Sequence, residues 1–328
     1  MSTTTADGSR SSGGGSHHGG GELPAPAGQQ MLRKSSNRIG ERIILTCLQA
    51  AAILSVVITI GIVISLVVPA ISFFREISFV GFFTGTRWTP TFADPSYGIL
   101  PLIIGTLWTT AIGLIVAVPL GLGAAALLSE YATPRVRRIV KPILEVLAGI
   151  PSVVLGFFAL NFVAPGLLRG LLGLEVGTFS VLAAGIVLGI FIIPTIASLS
   201  EDAMSSVPDA LRQGSAALGA NKMATTLKVV FPAALSGIIA AVVLGISRAV
   251  GETMILAIAA GNQAQIIADP RQGAQTMTGY IAQAATGENP PGSLAFNTLF
   301  AVGLTLFAVT LLVNVISIRL VRRFREAY

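Results

Sequence analysis

The sequence predicts an all-α polytopic membrane protein with six transmembrane helices, and three observations carry that prediction. The 328 residues are 53% hydrophobic and only 11% charged, with a mean hydropathy of +0.79, whereas a soluble domain carries roughly 25% charged residues. Six apolar runs each reach the ~20 residues that cross a hydrocarbon core about 30 Å thick. Lys and Arg are dense in every second interval between those runs and sparse in the others.

Taken in order, residues 1–40 are rich in Gly, Ser and Pro and have no apolar periodicity, so they read as a disordered tail. They contain no apolar stretch of the kind a signal peptide needs. The tail holds the only histidines, His17 and His18, a weak metal pair at most. The expected spans are 43–74, 100–128 with Pro119 inside, 143–163, 179–199, 233–260 and 294–318. Continuous runs such as ILSVVITIGIVISLVV exclude a transmembrane barrel, whose strands are short and alternate in polarity.

Topology follows from the basic residues, because short cytoplasmic loops retain positive charge. Sixteen of the 21 Lys and Arg fall before span one, between spans two and three, between four and five, and after six, against four in the opposite loops. Both termini are therefore expected in the cytoplasm. The net charge of +6 is a topology signal and gives no reason to expect nucleic acid.

Several chemistries are excluded. The body of the chain has no histidine, and its only cysteine, Cys47, lies in an apolar run. His-based metal sites, His general bases and disulfides are therefore absent from it, and no metal or other cofactor is expected. None of the four lysines sits in a phosphate-binding GxxxxGK[ST] loop, so any ATP is hydrolysed on another chain. An enzyme is not expected.

The remaining basic residue, Arg248, lies within span five, four residues before Glu252. On a continuous helix that spacing places both on one face. An intramembrane Arg is costly and should face a partner or a polar path, and its guanidinium suits an oxyanion. An internal Arg–Glu pair locking a helix is the plainer reading of the same two residues. In span three, Pro151 should kink the helix, with Gly149 and Ser152 allowing close approach. Direct substrate contact by Ser152 is the less economical role, and Glu145 is expected near Lys141 at the cytoplasmic interface. Between spans four and five, about 201–232, Pro208 and Asp209 start a helix and Gly219 permits a reversal. Val207, Leu211, Leu218, Met223 and Leu227 mark apolar positions on short amphipathic helices. On the other side, Gly261–Gly292 is the longest loop, and its TMTGYIAQAA should form a short helix. That loop is expected to receive an extracytoplasmic partner, and the Trp88 and Tyr97 loop, by default an aromatic belt at the membrane interface, is the further candidate for that surface.

Ala216, Ala217, Leu218, Gly219 and Ala220, followed by Val229-Val230-Phe231-Pro232, resemble the coupling loop of ABC importer permeases. The usual Glu-Ala-Ala opening is replaced by Gln213-Gly214-Ser215. Three further stretches, Tyr97–Leu107, Leu147–Val154 and Arg248–Met254, are similar to the phosphate-specific permeases of the PstC type, and the resemblance covers about 40–328. It implies a type I ABC importer permease fold in a bacterial inner membrane, with a coupling helix that docks on an ATPase at Ala216–Ala220 and Pro232. It also implies a second similar permease, two cytoplasmic ATPase subunits, an extracytoplasmic phosphate-binding protein, and a translocation path containing Arg248 and Glu252, to which the residue reading adds Ser152 as a candidate. A permease for another oxyanion, such as molybdate or sulfate, is the nearest alternative. An ATPase-independent anion channel or secondary transporter is a more distant one.

Overall fold

The computed structural model describes residues 38–287 and 289–323. Most of the tail, including His17 and His18, lies outside the described residues. The helices are α1 (Arg38–Glu76), α2 (Phe79–Thr84), α3 (Leu100–Tyr131), α4 (Pro134–Ala148), α5 (Ser152–Leu171) and α6 (Val181–Ser205). They continue with α7 (Asp209–Ala217), α8 (Lys222–Ala233), α9 (Leu235–Gly251), α10 (Met254–Ala259), α11 (Met277–Thr286) and α12 (Leu294–Arg323). Five of these, α1, α3, α5, α6 and α12, are long and apolar enough to span, and the pair α8–α9, bent by 74°, supplies a sixth.

The chain divides into two compact units at Ile58, within α1. In the second unit α6 is the central element, and it packs most extensively on α3. Small residues set that pair. A Cβ at Gly185 would meet the Ile112 side chain at 2.7 Å, and one at Gly189 would meet Val116 at 2.7 Å and the Gly113 carbonyl at 2.8 Å. Only glycine lets the two backbones come this near, and in lipid such contact supplies most of the helix association. Around α6 the core is completed by Leu155 and Ala159 of α5, Ala249 of α9, and Ile255 and Leu256 of α10.

Two expected spans are corrected. The run 143–163 is not one kinked helix: α4 ends at Ala148, Gly149–Pro151 intervenes, and the apolar span is α5. Pro151 cannot donate to the preceding turn, and it stands at the N-cap of the next helix, so it separates two helices. The α4 helix is amphipathic and has no buried residue. Val136, Ile139, Ile143 and Val146 form an exposed apolar stripe, while Arg137, Lys141 and Glu145 recur at four-residue spacing on the other face. That pattern suits a helix lying in the membrane interface. Thr133 begins it, accepting a hydrogen bond from the Val136 backbone N–H, with Pro134 in the first turn.

The run 233–260 is likewise two helices, because α9 stops at Gly251 and Glu252 adopts extended backbone (φ −67°, ψ 131°) before α10 begins. Elsewhere the expectations hold with small shifts. The fourth span continues through Glu201 to Ser205, so the loop after it is shorter than 201–232. The short helix in the long loop is α11, capped by the Thr276 side chain.

Opposite the basic end, Phe73, Phe74, Phe82, Trp88 and Tyr280 interlock edge to face, with ring centroids 4.9–6.1 Å apart. Trp88 is thus a packed residue, and its backbone pairs with Tyr97 across a small antiparallel bridge. Burial pushes the Tyr280 hydroxyl pKa up to about 12.

Candidate functional site

Arg248 sits three residues before the end of α9, level with the middle of α6. Its Nη1 donates to Thr195 Oγ1 at 2.7 Å, and the guanidinium carbon lies 4.1 Å from the centre of the Phe191 ring. Thr195 and Phe191 are four residues apart, so one face of α6 both hydrogen-bonds and stacks on the cation. Arg248 forms no ion pair among the described residues. Its charge is therefore held in place by neutral groups, and most of its donors remain for another ligand.

Glu252 does not pair with Arg248, which corrects the expected i,i+4 geometry. The helix ends between them. Glu252 Oε1 accepts from the backbone N–H of Met254 at 3.1 Å and of Ile255 at 3.4 Å, capping α10. The Glu252 carbonyl, freed by the break, accepts from Thr278 Oγ1 of α11 at 2.7 Å. Irregular backbone at membrane depth survives only when its polar groups are satisfied in this way. Ser152 opens α5, which packs on α10. A Cβ at Gly156 would lie 3.2 Å from the Met254 carbonyl and 3.0 Å from Ile258. The structure thus brings the start of α5 against the helix that follows Glu252, and gives Ser152 itself no hydrogen-bonding partner among the described residues.

The loop between α6 and α9 is a helical hairpin, α7 then α8. Gly219 has φ +80°, which L side chains rarely adopt, and it reverses the chain as expected. Ala216, Ala217, Leu218 and Gly219 are exposed at the tip, with Leu218 at 90% exposure, whereas Ala220 is half-buried and Pro232 exposed. Val207 and Val230 are buried beneath them. Asn221 caps α8 through Ala224 N–H at 2.8 Å, and Ser215 and Thr225 share a 2.8 Å hydrogen bond across the hairpin.

Arg212 ties this hairpin to the bundle. Its Nη2 donates to Glu130 Oε1 at 2.9 Å and to the Met204 carbonyl at 2.9 Å, and its Nη1 donates to Asp209 Oδ1 at 3.1 Å. The hydrogen bond to Glu130 raises its already high pKa. Beside it, the buried carboxylate of Glu201 receives Arg137 and Lys141 of α4, the latter at 2.9 Å, and Lys141 also reaches Asp202 at 2.7 Å. Hydrogen bonds to Asp202 and then Glu201 hold the Lys141 ammonium above its usual range. As expected, Glu145 lies near Lys141, and both line a cavity of about 460 Å³.

Sequence reasoning did not find Thr195, Phe191, Thr278, Glu130 or Glu201. Thr195 stands 53 residues from Arg248, and nothing in the chain links them. For Glu130 and Glu201 a signal existed: each is an acid at the end of an apolar run on the basic side.

Spanning helices, an arginine held against the middle of α6 beside a broken helix, and an exposed helical hairpin at the basic end together define a polytopic membrane transport subunit. Residues 117–326 match the model of binding-protein-dependent transport system inner membrane components, and the chain belongs to that family. Among similar proteins, a probable ABC transporter permease, YqgH of Bacillus subtilis, is 38% identical over 80% of this chain and 85% of its own. The phosphate transport system permease protein PstC 1 of Mycobacterium tuberculosis is 36% identical over 74% and 81%, and PstC of Mesorhizobium japonicum is 34% identical over 82% and 86%. The fold is shared with solved ABC transporters. A chain of a bacterial alginate transporter aligns over 88% of this chain and 96% of its own, with a TM-score of 0.64 and 14% identity. A chain of the inward-facing MetNI methionine transporter aligns over 70% and 98%, with a TM-score of 0.53 and 23% identity.

Proposed function

We propose that this chain is the permease subunit of an ATP-driven phosphate importer and forms the translocation path by alternating access. The observation that carries the reading is Arg248, a mid-depth cation positioned by Thr195 and Phe191 without a compensating carboxylate. A bidentate guanidinium suits a phosphate oxyanion. The phosphate permeases among its relatives, similar over most of their length, support the choice of anion. Arg248 attracts phosphate, Glu252 holds the break beside it, and Ser152 lines the path where α5 begins. Glu252 Oε2, which takes no hydrogen bond from the described residues, accepts the hydrogen of HPO₄²⁻, a hydrogen that sulfate lacks at neutral pH.

The α7–α8 hairpin docks on an ATPase through Ala216–Ala220, with Leu218 as the apolar contact and Pro232 at the base. Two such ATPases, a second permease of similar fold and an extracytoplasmic phosphate-binding protein complete the transporter. The basic end, including both termini and the tail at 1–40, faces the cytoplasm. Uptake of labelled phosphate by proteoliposomes holding the whole complex tests this. Phosphate-dependent, ATP-dependent uptake resistant to excess sulfate and molybdate is expected. Competition by either anion at equal concentration reassigns the substrate, and uptake without the ATPase subunits defeats the importer reading.

A further inference from the structure

The α4 helix joins the ends of two spans, α3 and α5, through Ala132-Thr133 and Gly149–Pro151, so it lies where the bundle leaves the hydrocarbon. Its faces differ in chemistry. Arg137 and Lys141 turn inward and hold Glu201 and Asp202 at the end of α6. Val136, Ile139, Ile143 and Val146 make an aliphatic stripe that is 43–73% exposed, too apolar to be left to water. On the flank between these two faces stand Arg135 and Arg138, one helical turn apart. Both are exposed, and neither forms an ion pair among the described residues. Arg138 also lines the cavity of about 460 Å³ that runs along this side of the helix.

The arrangement selects among ligands. A free anion in water gains little from two exposed cations, and the far end of the cavity carries Glu145, about 10 Å beyond Arg138 along the helix axis. An acidic peptide would satisfy the arginines and leave the aliphatic stripe uncovered. The stripe has no aromatic residue of the kind enriched at protein interfaces. A phospholipid satisfies both features at once, with its phosphate on the arginines and its acyl chains along the stripe. Arg135 and Arg138 also belong to the N-terminal part of α4, where the helix dipole favours negative charge.

We propose that Arg135 and Arg138 clamp the phosphate of an anionic phospholipid whose chains lie on the Val136–Val146 stripe, and that this lipid seats α4 against Glu201 and Asp202. The proposal needs only that the chain spans a membrane, so it stands apart from the choice of transported anion. The test uses the full chain with its copurifying subunits in phosphatidylcholine nanodiscs. A trace of phosphatidylglycerol carrying a photoactivatable diazirine on one acyl chain is the probe. Peptide mapping after illumination should find label on Val136, Ile139, Ile143 or Val146. Replacing both arginines, Arg135→Gln with Arg138→Gln, should lower that label roughly five- to thirtyfold, while label on the spans holds as an internal reference. A phosphatidylcholine probe with the same diazirine should label the stripe weakly and equally in both proteins, and excess inorganic phosphate should not compete. Equal labelling of the wild type by the two probes shows a helix immersed in the bilayer without a headgroup site. Competition by inorganic phosphate shows a site for the free ion, and an unlabelled stripe shows that a protein partner covers it. Each of these three results overturns the proposal and leaves the importer reading untouched. Should the double variant fail to assemble, the comparison of the two probes on the wild type decides alone.

Discussion

Arg248 and Arg212 are both fixed by hydrogen bonds, but their charges meet different fates. Arg212 faces Glu130 and Asp209 and two backbone carbonyls, so its charge is neutralised where it sits. Arg248 has a hydroxyl and an aromatic face, and its charge is left over. The first arrangement is a strut between the hairpin and the bundle. The second leaves a half-buried cation with no counter-ion among the described residues, which under the proposed function is what an arriving oxyanion meets.

The largest effect should come from removing the uncompensated charge. Arg248→Gln is expected to lower phosphate uptake about ten- to hundredfold, the worth of a charge-assisted hydrogen bond or two, with the complex still assembling on gel filtration. Arg248→Lys should recover only part of the loss, since an ammonium cannot make the paired contact. Uptake at the wild-type level in Arg248→Gln would remove the contrast between the two arginines.

Next in size is the strut. Glu130→Gln leaves Arg212 short of its main counter-ion and should cost roughly 1–3 kcal/mol of stability. The loss is read as a lower melting temperature together with ATP hydrolysis less tightly tied to transport. A joint change of Glu130→Leu and Arg212→Met should be far milder than Glu130→Gln, because an apolar pair leaves no stranded charge. Equal damage from both would show that the ion pair does more than hold the hairpin.

A smaller effect separates capping from charge at Glu252. Glu252→Ala should cost about 1 kcal/mol by stranding the first-turn N–H groups of α10, while Glu252→Gln keeps an oxygen for Met254 and Ile255 and should melt near wild type. If both lower the melting temperature equally, the negative charge matters beyond the cap.

The smallest effects are electrostatic and lie at opposite ends of the molecule. The raised pKa of Lys141 gives a contribution complete below the ordinary lysine value and lost only as pH climbs through its folded value. The melting difference between wild type and Lys141→Met should therefore be constant from about pH 6 to about pH 9. Asp269, lowered chiefly by its hydrogen bond with Arg271, contributes above the ordinary carboxylate value and loses this as pH falls through its folded value. Asp269→Asn should then match wild type in uptake at neutral pH, since the pair is solvent-exposed.

Much of this molecule is legible in its sequence. The lipid requirement that every spanning backbone group be satisfied within its own helix makes apolar length a nearly sufficient signal, and the basic loops, the reversal at Gly219 and α11 follow from local chemistry. The two errors have one cause. Gly149–Pro151 and Glu252–Thr253 lie in apolar stretches, so hydropathy runs across them, although the chain there leaves the helix. At Glu252 the break is stable only because Thr278, from α11, takes the freed carbonyl.

The sequence by itself determined the class of protein, most of its spanning helices, and that one arginine must lie among them. Only the tertiary structure decided which groups hold that arginine. Its partners, Thr195 and Phe191, come from a distant helix drawn close by the glycines of α3, α6 and α9, including Gly245 against Ile196. The same folding turned Glu252 from an expected counter-ion into a cap. Local patterns specify helices because helices satisfy themselves, whereas the compensation of a charge depends on which helices meet, and that is settled by packing.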